Sequence, residues 1–518
     1  MRLKKITALM LSMTMLSLTG CGGGGTATTS TTAPTTAGSA SNETTAPTGE
    51  IPAMEKITMI NNYTGSEPPS VDHETVRQIK EHSGTQLDIT WVPSNGYDEK
   101  VNALIASRSL PMITMTKAPR NTSIVSAARS GMFWDLAPYI SQFENLSSID
   151  QTIYDNLAID GGYYLIPRTR YVTRFGGVIR KDWLDNLGLE MPTNMEELTE
   201  VIRAFTEDDP DQNGQNDTYG LTLMDSSITN RFGTLVSVYE GGLNKWGVDE
   251  NDQIISEFVT EEHTNTLKWF RELYENGRVN KDFAVNKDEL ANLMSGRAGV
   301  LFLGNLEDVT THMHDLTEVF PEAEIGIFQI LEGADGGKRL PAGPGYNGAL
   351  LISKTAVETE EELLGVLSFL DKLGDDEMVD LINWGAEGES YTLDGGLVSR
   401  TPEQIVAFSE KYSSFRQITP FFAFSNLEAK DMPAIQVEMH ELMDASLEFV
   451  VPDYSLPFIS ETNIEMGNDL KSFIDDSRVK FVVGELSEEE YMAAIQRWLD
   501  MGGQKMTDEY NEQYQASK

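Results

Sequence analysis

Apolar and polar positions divide the chain into three textures. Ile6 to Leu18 is an apolar run without a charge, led by Arg2, Lys4 and Lys5. That is the layout of a secretory signal, and the run is too short to span a bilayer comfortably. From Gly22 to Glu50 the chain is Gly, Thr, Ser and Ala with little else, and nothing large and apolar occurs before Ile51. Such a stretch cannot recover its ordering entropy by burial and reads as a disordered tether. After Ile51 the pattern switches between strand and helix periods. Lys56–Ile60 reads as a strand and Asn61–Gly65 as the loop behind it. A helix over about Val71–Glu81, a strand at Leu87–Trp91, a helix over about Asp98–Ala106 and a strand at Met112–Met115 follow. Further on, Arg297–Leu303 and Ala349–Ser353 read as buried strands, with a helix over about Glu360–Leu373. Strands spaced by helices predict an α/β fold with a parallel, helix-covered sheet. The C-terminal part is more helical, and Ser487 with Glu490 forms a capping box ahead of Tyr491–Leu499. The expected organisation is a signal peptide over 1–20, a lipid-anchored linker over 21–50 and a folded body over 51–518.

Charge and cysteine usage narrow the function. The chain has 81 Asp and Glu against 39 Lys and Arg, a formal charge of −42. Losing residues 1–20 would remove three cations and no anion, leaving a body that repels nucleic acid and anionic lipid surfaces. Cys21 is the single cysteine, so no intrachain disulfide is available and the fold relies on its core. Leu18-Thr19-Gly20-Cys21 resembles the lipobox of bacterial lipoproteins. The resemblance implies cleavage before Cys21 and diacylglycerol on its thiol, placing the body on the outer face of the cell membrane. The alternative is an ordinary signal peptide with an incidental Cys21. A tether on a lipid suits a receptor, a docked enzyme or a wall-associated binder.

One segment carries specific chemistry. Asp209, Asp211 and Asn213 stand at alternate positions, Gly214 at position 6, Gln215 at 7 and Asp217 at 9. This is most of the spacing of a calcium loop, where a hard cation collects six to eight oxygens and glycine permits the sharp turn. Gln215 would contribute its carbonyl. Position 12 is Gly220 and not a bidentate Glu, so the loop is not a standard EF-hand. The competing account is a solvated acidic loop. Other metal chemistry is poorly served. His312 and His314, two apart and facing one side of a strand if they form one, lack a third ligand nearby. No zinc helix, Walker loop, nucleophile elbow or dinucleotide fingerprint occurs. With so many acids, no single carboxylate pair argues for glycosidase chemistry.

The stretch Val178-Ile179-Arg180-Lys181-Asp182-Trp183-Leu184-Asp185-Asn186-Leu187-Gly188-Leu189, followed by Pro192-Thr193-Asn194, carries a family resemblance. So do Met294 to Val300 and Trp384-Gly385-Ala386-Glu387-Gly388-Glu389-Ser390-Tyr391. On these the chain resembles family 1 extracellular solute-binding lipoproteins, of the group serving aldouronate and related oligosaccharide importers. The resemblance implies a two-lobed periplasmic-binding-protein-like α/β fold, crossing hinge segments and a helix-rich C-terminal part. It also implies a calcium site at Asp209–Asp217, though relatives often carry an acid where this chain has Thr218. Ser107–Met112 departs from the family's Ser-Gly-Asp-Leu-Pro-Asp pattern, which bears on the ligand. The implied partners are an oligosaccharide and two permease subunits with an associated ATPase. Sugars ask for flat aromatics beside polar groups at strand ends. Tyr63, Trp91, Trp134, Tyr346, Trp384 and Tyr391 qualify, with Asn62, Arg180 and Glu387 as polar candidates. For each aromatic the alternative is core packing, most of all for the helical Trp183, and for Arg180 a salt bridge. The charge balance leaves neutral and uronic ligands equally open. A polysaccharide-processing enzyme and a non-transporting surface lipoprotein are the other classes in play.

Overall fold

In the computed structural model residues 51–518 are described, apart from residues 52, 64, 230–231 and 422–425. Cys21 and the tether lie outside the described residues. Strand β1 (Lys56–Tyr63) pairs in parallel with β2 (Gln86–Pro93) along its whole length and with β3 (Ile113–Thr116) at Met59 and Ile60. The predicted loop after Ile60 is therefore still strand through Tyr63, with Asn61 and Asn62 inside the ladder. The first helix begins at Glu74 and not Val71, because His73 holds an extended backbone and its Nδ1 accepts the Thr75 amide at 3.2 Å. Ile57, Ile79, Tyr97, Ile113 and Met115 close the core between this sheet and its helices.

The chain then leaves by β4 (Ile166–Thr169) and enters a second sheet at β5 (Gly176–Arg180). There it adds β6 (Tyr219–Leu221), a hairpin of β7 (Trp246–Val248) and β8 (Ile254–Ser256), then β9 (Ala298–Leu303) and β10 (Ile325–Phe328). The second sheet runs β10-β5-β9-β6. Its core holds Trp183, Phe205, Phe270 and Phe302, closed by Trp498 from the C-terminal helices Glu461–Val482, Glu488–Trp498 and Gln504–Ala516. Gly299 is required here, since a Cβ would sit 2.1 Å from the Phe205 ring. The capping box at Ser487 and Glu490 is present.

The chain returns through β11 (Leu340–Pro341) into β12 (Tyr346–Ile352), which inserts antiparallel between β3 and β4. A hairpin of β13 (Thr392–Asp394) and β14 (Leu397–Ser399) follows, and β15 (Val450–Val451) pairs with β11. The first sheet is thus mixed and not wholly parallel. Beyond β3 strand direction is set by entry from the other lobe, where no βαβ crossover dictates it. His312 and His314 lie on the helix Val309–Val319, not a strand, so a spacing of two turns them to different faces.

Three connecting segments, 170–175, 329–345 and 446–459, run between the two cores and are bonded together. Gln329 donates to Thr173 O at 2.6 Å and Phe175 O at 3.1 Å and accepts from Ser446 Oγ at 2.7 Å. Asn244 donates to Ala342 O at 3.0 Å and Val451 O at 2.8 Å. Gly343 N reaches Val172 O at 2.7 Å.

Candidate functional site

The C-terminal ends of β1 to β3 point at these connecting segments, because Thr116 at the end of β3 pairs with Ala349 and Tyr346 pairs with Thr169. Asn62, Tyr63, Trp91 and Tyr346 are therefore brought to one end of the first sheet. Asn62 is buried and donates to Ser94 Oγ at 2.8 Å, while Ser94 donates to Tyr63 O at 2.9 Å. The Asn62 Oδ1 is buried with no hydrogen-bond partner among the described residues. Burial, with Asp453 nearby and Arg120 opposing, raises the Tyr346 phenol.

Trp91 begins a row of rings on this lobe. Its centroid lies 5.5 Å from Phe415, Phe415 lies 4.8 Å from His73, and His73 lies 4.8 Å from Tyr412. Trp384 ends the helix Asp376–Trp384, with the Arg400 guanidinium 4.7 Å from its ring and donating to its carbonyl at 2.8 Å. Glu387 and Tyr391 line an open cavity of about 810 Å³ with His73, Glu74 and Lys411. All the residues lining it belong to the first lobe.

Two candidates are placed elsewhere. Trp134 donates from Nε1 to Val357 O at 2.8 Å, and its amide bonds Ile352 O at 3.2 Å. Ile352 pairs with Ile113, the first residue of β3, so Trp134 sits at the opposite end of the sheet. Arg180 is the last residue of β5, remote from the entry at Gly176. Its Nε donates to Asp182 at 2.8 Å and its guanidinium lies 4.7 Å from the Trp183 ring, so the buried Arg180 is engaged in an ion pair with the half-buried Asp182.

The sequence reading passed over a cationic group at the first connection. Arg168 is 3% exposed and donates to Asn347 O at 2.7 Å and Arg416 O at 3.0 Å. Arg170 donates to Thr169 O at 2.7 Å. Arg174 holds Glu307 at 2.7 Å and Asn305 at 2.6 Å on the second lobe. The signal was available, since Arg168, Arg170 and Arg174 crowd together in a strongly acidic chain.

The Asp209–Asp217 loop follows the helix Met195–Glu207. Asp209 accepts from Asn213 N at 3.1 Å and Gly214 N at 3.0 Å, and Asn213 Oδ1 accepts from Gln215 N at 2.7 Å. Asp209, Gln212 and Gly214 take positive φ, which winds the turn tightly. The Asn213 amide donates to Asp211 at 2.9 Å and Asp217 at 3.2 Å, bridging the carboxylates. Thr218 Oγ1 donates to Phe205 O and serves the backbone. Burial above all, and then the facing Asp209 and Asp217, hold the Asp211 carboxyl above its usual range. The donor set is the oxygen-rich kind calcium takes. Among the described residues, however, no group of three or more His, Cys, Asp or Glu side chains is gathered tightly enough to hold a metal.

A family model described as bacterial extracellular solute-binding protein matches residues 76–379. The chain is 32% identical over 456 residues to the polygalacturonan/rhamnogalacturonan-binding protein YtcQ of Bacillus subtilis, covering 87% of this chain and 90% of that one. It is 30% identical over 478 residues to lipoprotein LipO of the same organism, covering 90% and 93%. Its fold superposes on the substrate-binding protein FusA of Streptococcus pneumoniae in complex with kestose, with a TM-score of 0.65 at 20% identity, covering 89% of this chain and all of that one. FusA has also been solved as an EF-hand mutant in complex with fructo-nystose, with a TM-score of 0.64 at 19% identity. The family model covers more than half of the chain and the two Bacillus subtilis relatives align with it over most of their length, so the chain belongs to the bacterial extracellular solute-binding proteins.

Proposed function

We propose that this chain is the capture subunit of an ATP-driven importer and closes its two lobes around an oligosaccharide at the outer face of the membrane. The observation that carries the reading is the gathering of Asn62, Tyr63, Trp91 and Tyr346 at the strand ends beside the three bonded connections. A ring face stacks on a sugar, and the Asn62 Oδ1, unpartnered among the described residues, would accept a hydroxyl once the ligand reaches it. Trp384, Glu387 and Tyr391 extend the surface along the same lobe. Only a closed form gives the ligand contacts from both lobes, so binding shifts an open–closed equilibrium. Two permease subunits with their ATPase would read the closed surface, and diacylglycerol on Cys21 with the 22–50 tether would keep the body within reach of them. YtcQ is named for polygalacturonan and rhamnogalacturonan and FusA is complexed with kestose; the class they share is the oligosaccharide.

We assign Asp209, Asp211, Asn213, the Gln215 carbonyl and Asp217 to calcium in a structural role. The Asn213 amide would turn its oxygen inward on binding. Five such ligands leave room for water in a shell of six to eight.

Small-angle scattering of the full chain with and without an oligosaccharide that binds in calorimetry tests the reading. The complex should be more compact, and the sugar should be recovered intact by chromatography. Tight binding with no change in scattering would refute closure, and a cleaved sugar would establish an enzyme instead.

A further inference from the structure

Strand β1 ends where its neighbour can no longer bond it. Tyr63 stands opposite Pro93, which has no N–H to give. Ser94 takes over, donating from Oγ to Tyr63 O at 2.9 Å. A hydroxyl carries one proton, and this one is committed to a carbonyl that can only accept. The Ser94 oxygen is left as an acceptor, and Asn62 Nδ2 donates to it at 2.8 Å. That bond decides which way round the Asn62 amide sits. Turned over, it would set Oδ1 against an oxygen with no proton to offer. Ser94 is itself pinned, since its carbonyl accepts from Lys117 Nζ at 3.1 Å.

The Asn62 Oδ1 therefore faces away from Ser94, and it has no hydrogen-bond partner among the described residues. Asn62 is 4% exposed, and a buried acceptor without a donor disfavours the free protein until a donor arrives. The residue lies at the strand end where Tyr63, Trp91 and Tyr346 also stand. An acceptor held in one orientation discriminates. A sugar hydroxyl can donate to it, whereas a methyl ether brings only lone pairs and a deoxy position brings nothing.

We propose that Ser94 is a positioning residue that locks the Asn62 amide with its oxygen free for the ligand, so that Asn62 selects a sugar by one hydroxyl acting as donor. This rests on the oligosaccharide reading above and deepens it. The specificity comes from a proton count set at Ser94, a residue that touches no ligand.

The test is calorimetry on the full chain with trisaccharides of neutral hexoses and of hexuronates. The tightest binder is then compared with its single-position deoxy and O-methyl derivatives. For at least one position, each change should weaken binding about fivefold or more, the size of a hydrogen bond lost at a buried group. In Asn62→Ala that preference should shrink to within about twofold, because the acceptor is gone. Ser94→Ala frees the amide to turn and offer its N–H group, so the methyl ether should recover relative to the hydroxyl. Ser94→Thr keeps the proton arrangement and should keep the preference. Thermal melting checks that each variant folds, and a purely structural defect would leave the ratio of hydroxyl to ether unmoved. If no position showed such a preference, the hydroxyl reading would be overturned while capture of a sugar stood. A preference surviving Asn62→Ala would belong to another group. One lost in Asn62→Ala but kept in Ser94→Ala would overturn the positioning role. If no sugar in the panel bound, the oligosaccharide reading itself would fall.

Discussion

The lobe connections and the Asp209–Asp217 loop are both crowded with like charge, and they are built in opposite ways. The loop is made by neighbours in sequence, held by Asn213, Gly214 and Gln215 amides that turn onto carboxylates a few residues away. The connection is made by residues that are distant in sequence: Arg168 with Asn347 and Arg416, and Gln329 with Thr173 and Ser446. The loop is mostly solvated and the connection mostly buried. Repulsion in the loop is therefore screened and mild, whereas in the connection Arg168 and Arg174 are held in place by protein carbonyls, the Asn305 amide oxygen and Glu307.

The contrast breaks most visibly at Gln329. Gln329→Leu would strand two carbonyls of the 170–175 segment and a hydroxyl of the 446–459 segment, at about 2–4 kcal/mol of stability. Urea unfolding measures it, and a loss below about 1 kcal/mol would mean that the segments do not depend on one another. Gln329 is neutral, so the loss reports the hydrogen bonds alone.

Next in size is the loop. With calcium at about 100 times its dissociation constant, bound metal adds about 2.7 kcal/mol to the folded state. Chelation should lower the melting temperature accordingly, and Asp211→Ala should abolish the dependence on calcium. Native mass spectrometry showing no bound ion in calcium buffer would contradict the assignment.

Smaller still is the separation of two tryptophans that sequence alone could not separate. Trp91→Ala should weaken oligosaccharide binding about tenfold, on the scale of a lost stacking contact. Trp134→Ala should leave affinity unchanged and lower stability, because it works against Val357 and Lys354 at the far end of the sheet. Equal losses of affinity would show that the cleft has been misplaced.

Those two residues show what was legible. The strand–helix order through Met115, the Ser487 capping box and the calcium-type spacing are local patterns, and periodicity or spacing reports them directly. The antiparallel insertion of β12 was not legible, since its direction depends on a return from another lobe. Phe415 and Tyr412 were missed because they lie in a stretch without regular period, over 402–421. Trp134 looked like Trp91 because both are aromatics beside a strand. Which end of the sheet each occupies is fixed only by register, through Ile352 against Ile113 and Asn61 against Trp91.

The smallest effect sharpens the comparison on the loop side. Burial, together with Asp209 and Asp217, raises the folded-state Asp211 carboxyl above its ordinary value, so ionising it is harder in the fold than in the unfolded chain. In chelated protein this group therefore favours the fold at low pH, and that contribution is lost as pH rises through the raised value. Asp211→Asn cannot ionise and should escape the loss. At neutral pH in chelator the variant should melt slightly higher than the parent, and the gap should close as the solution is acidified through the carboxylate range. Calcium should invert the order at neutral pH, because the metal needs the ionised carboxylate that the fold alone disfavours. Melting curves at several pH values, with calcium and with chelator, contain the whole test. A chelated variant that melts below the parent at every pH would show that Asp211 supports the loop through its hydrogen bonds to Asn213, with like-charge repulsion playing no part.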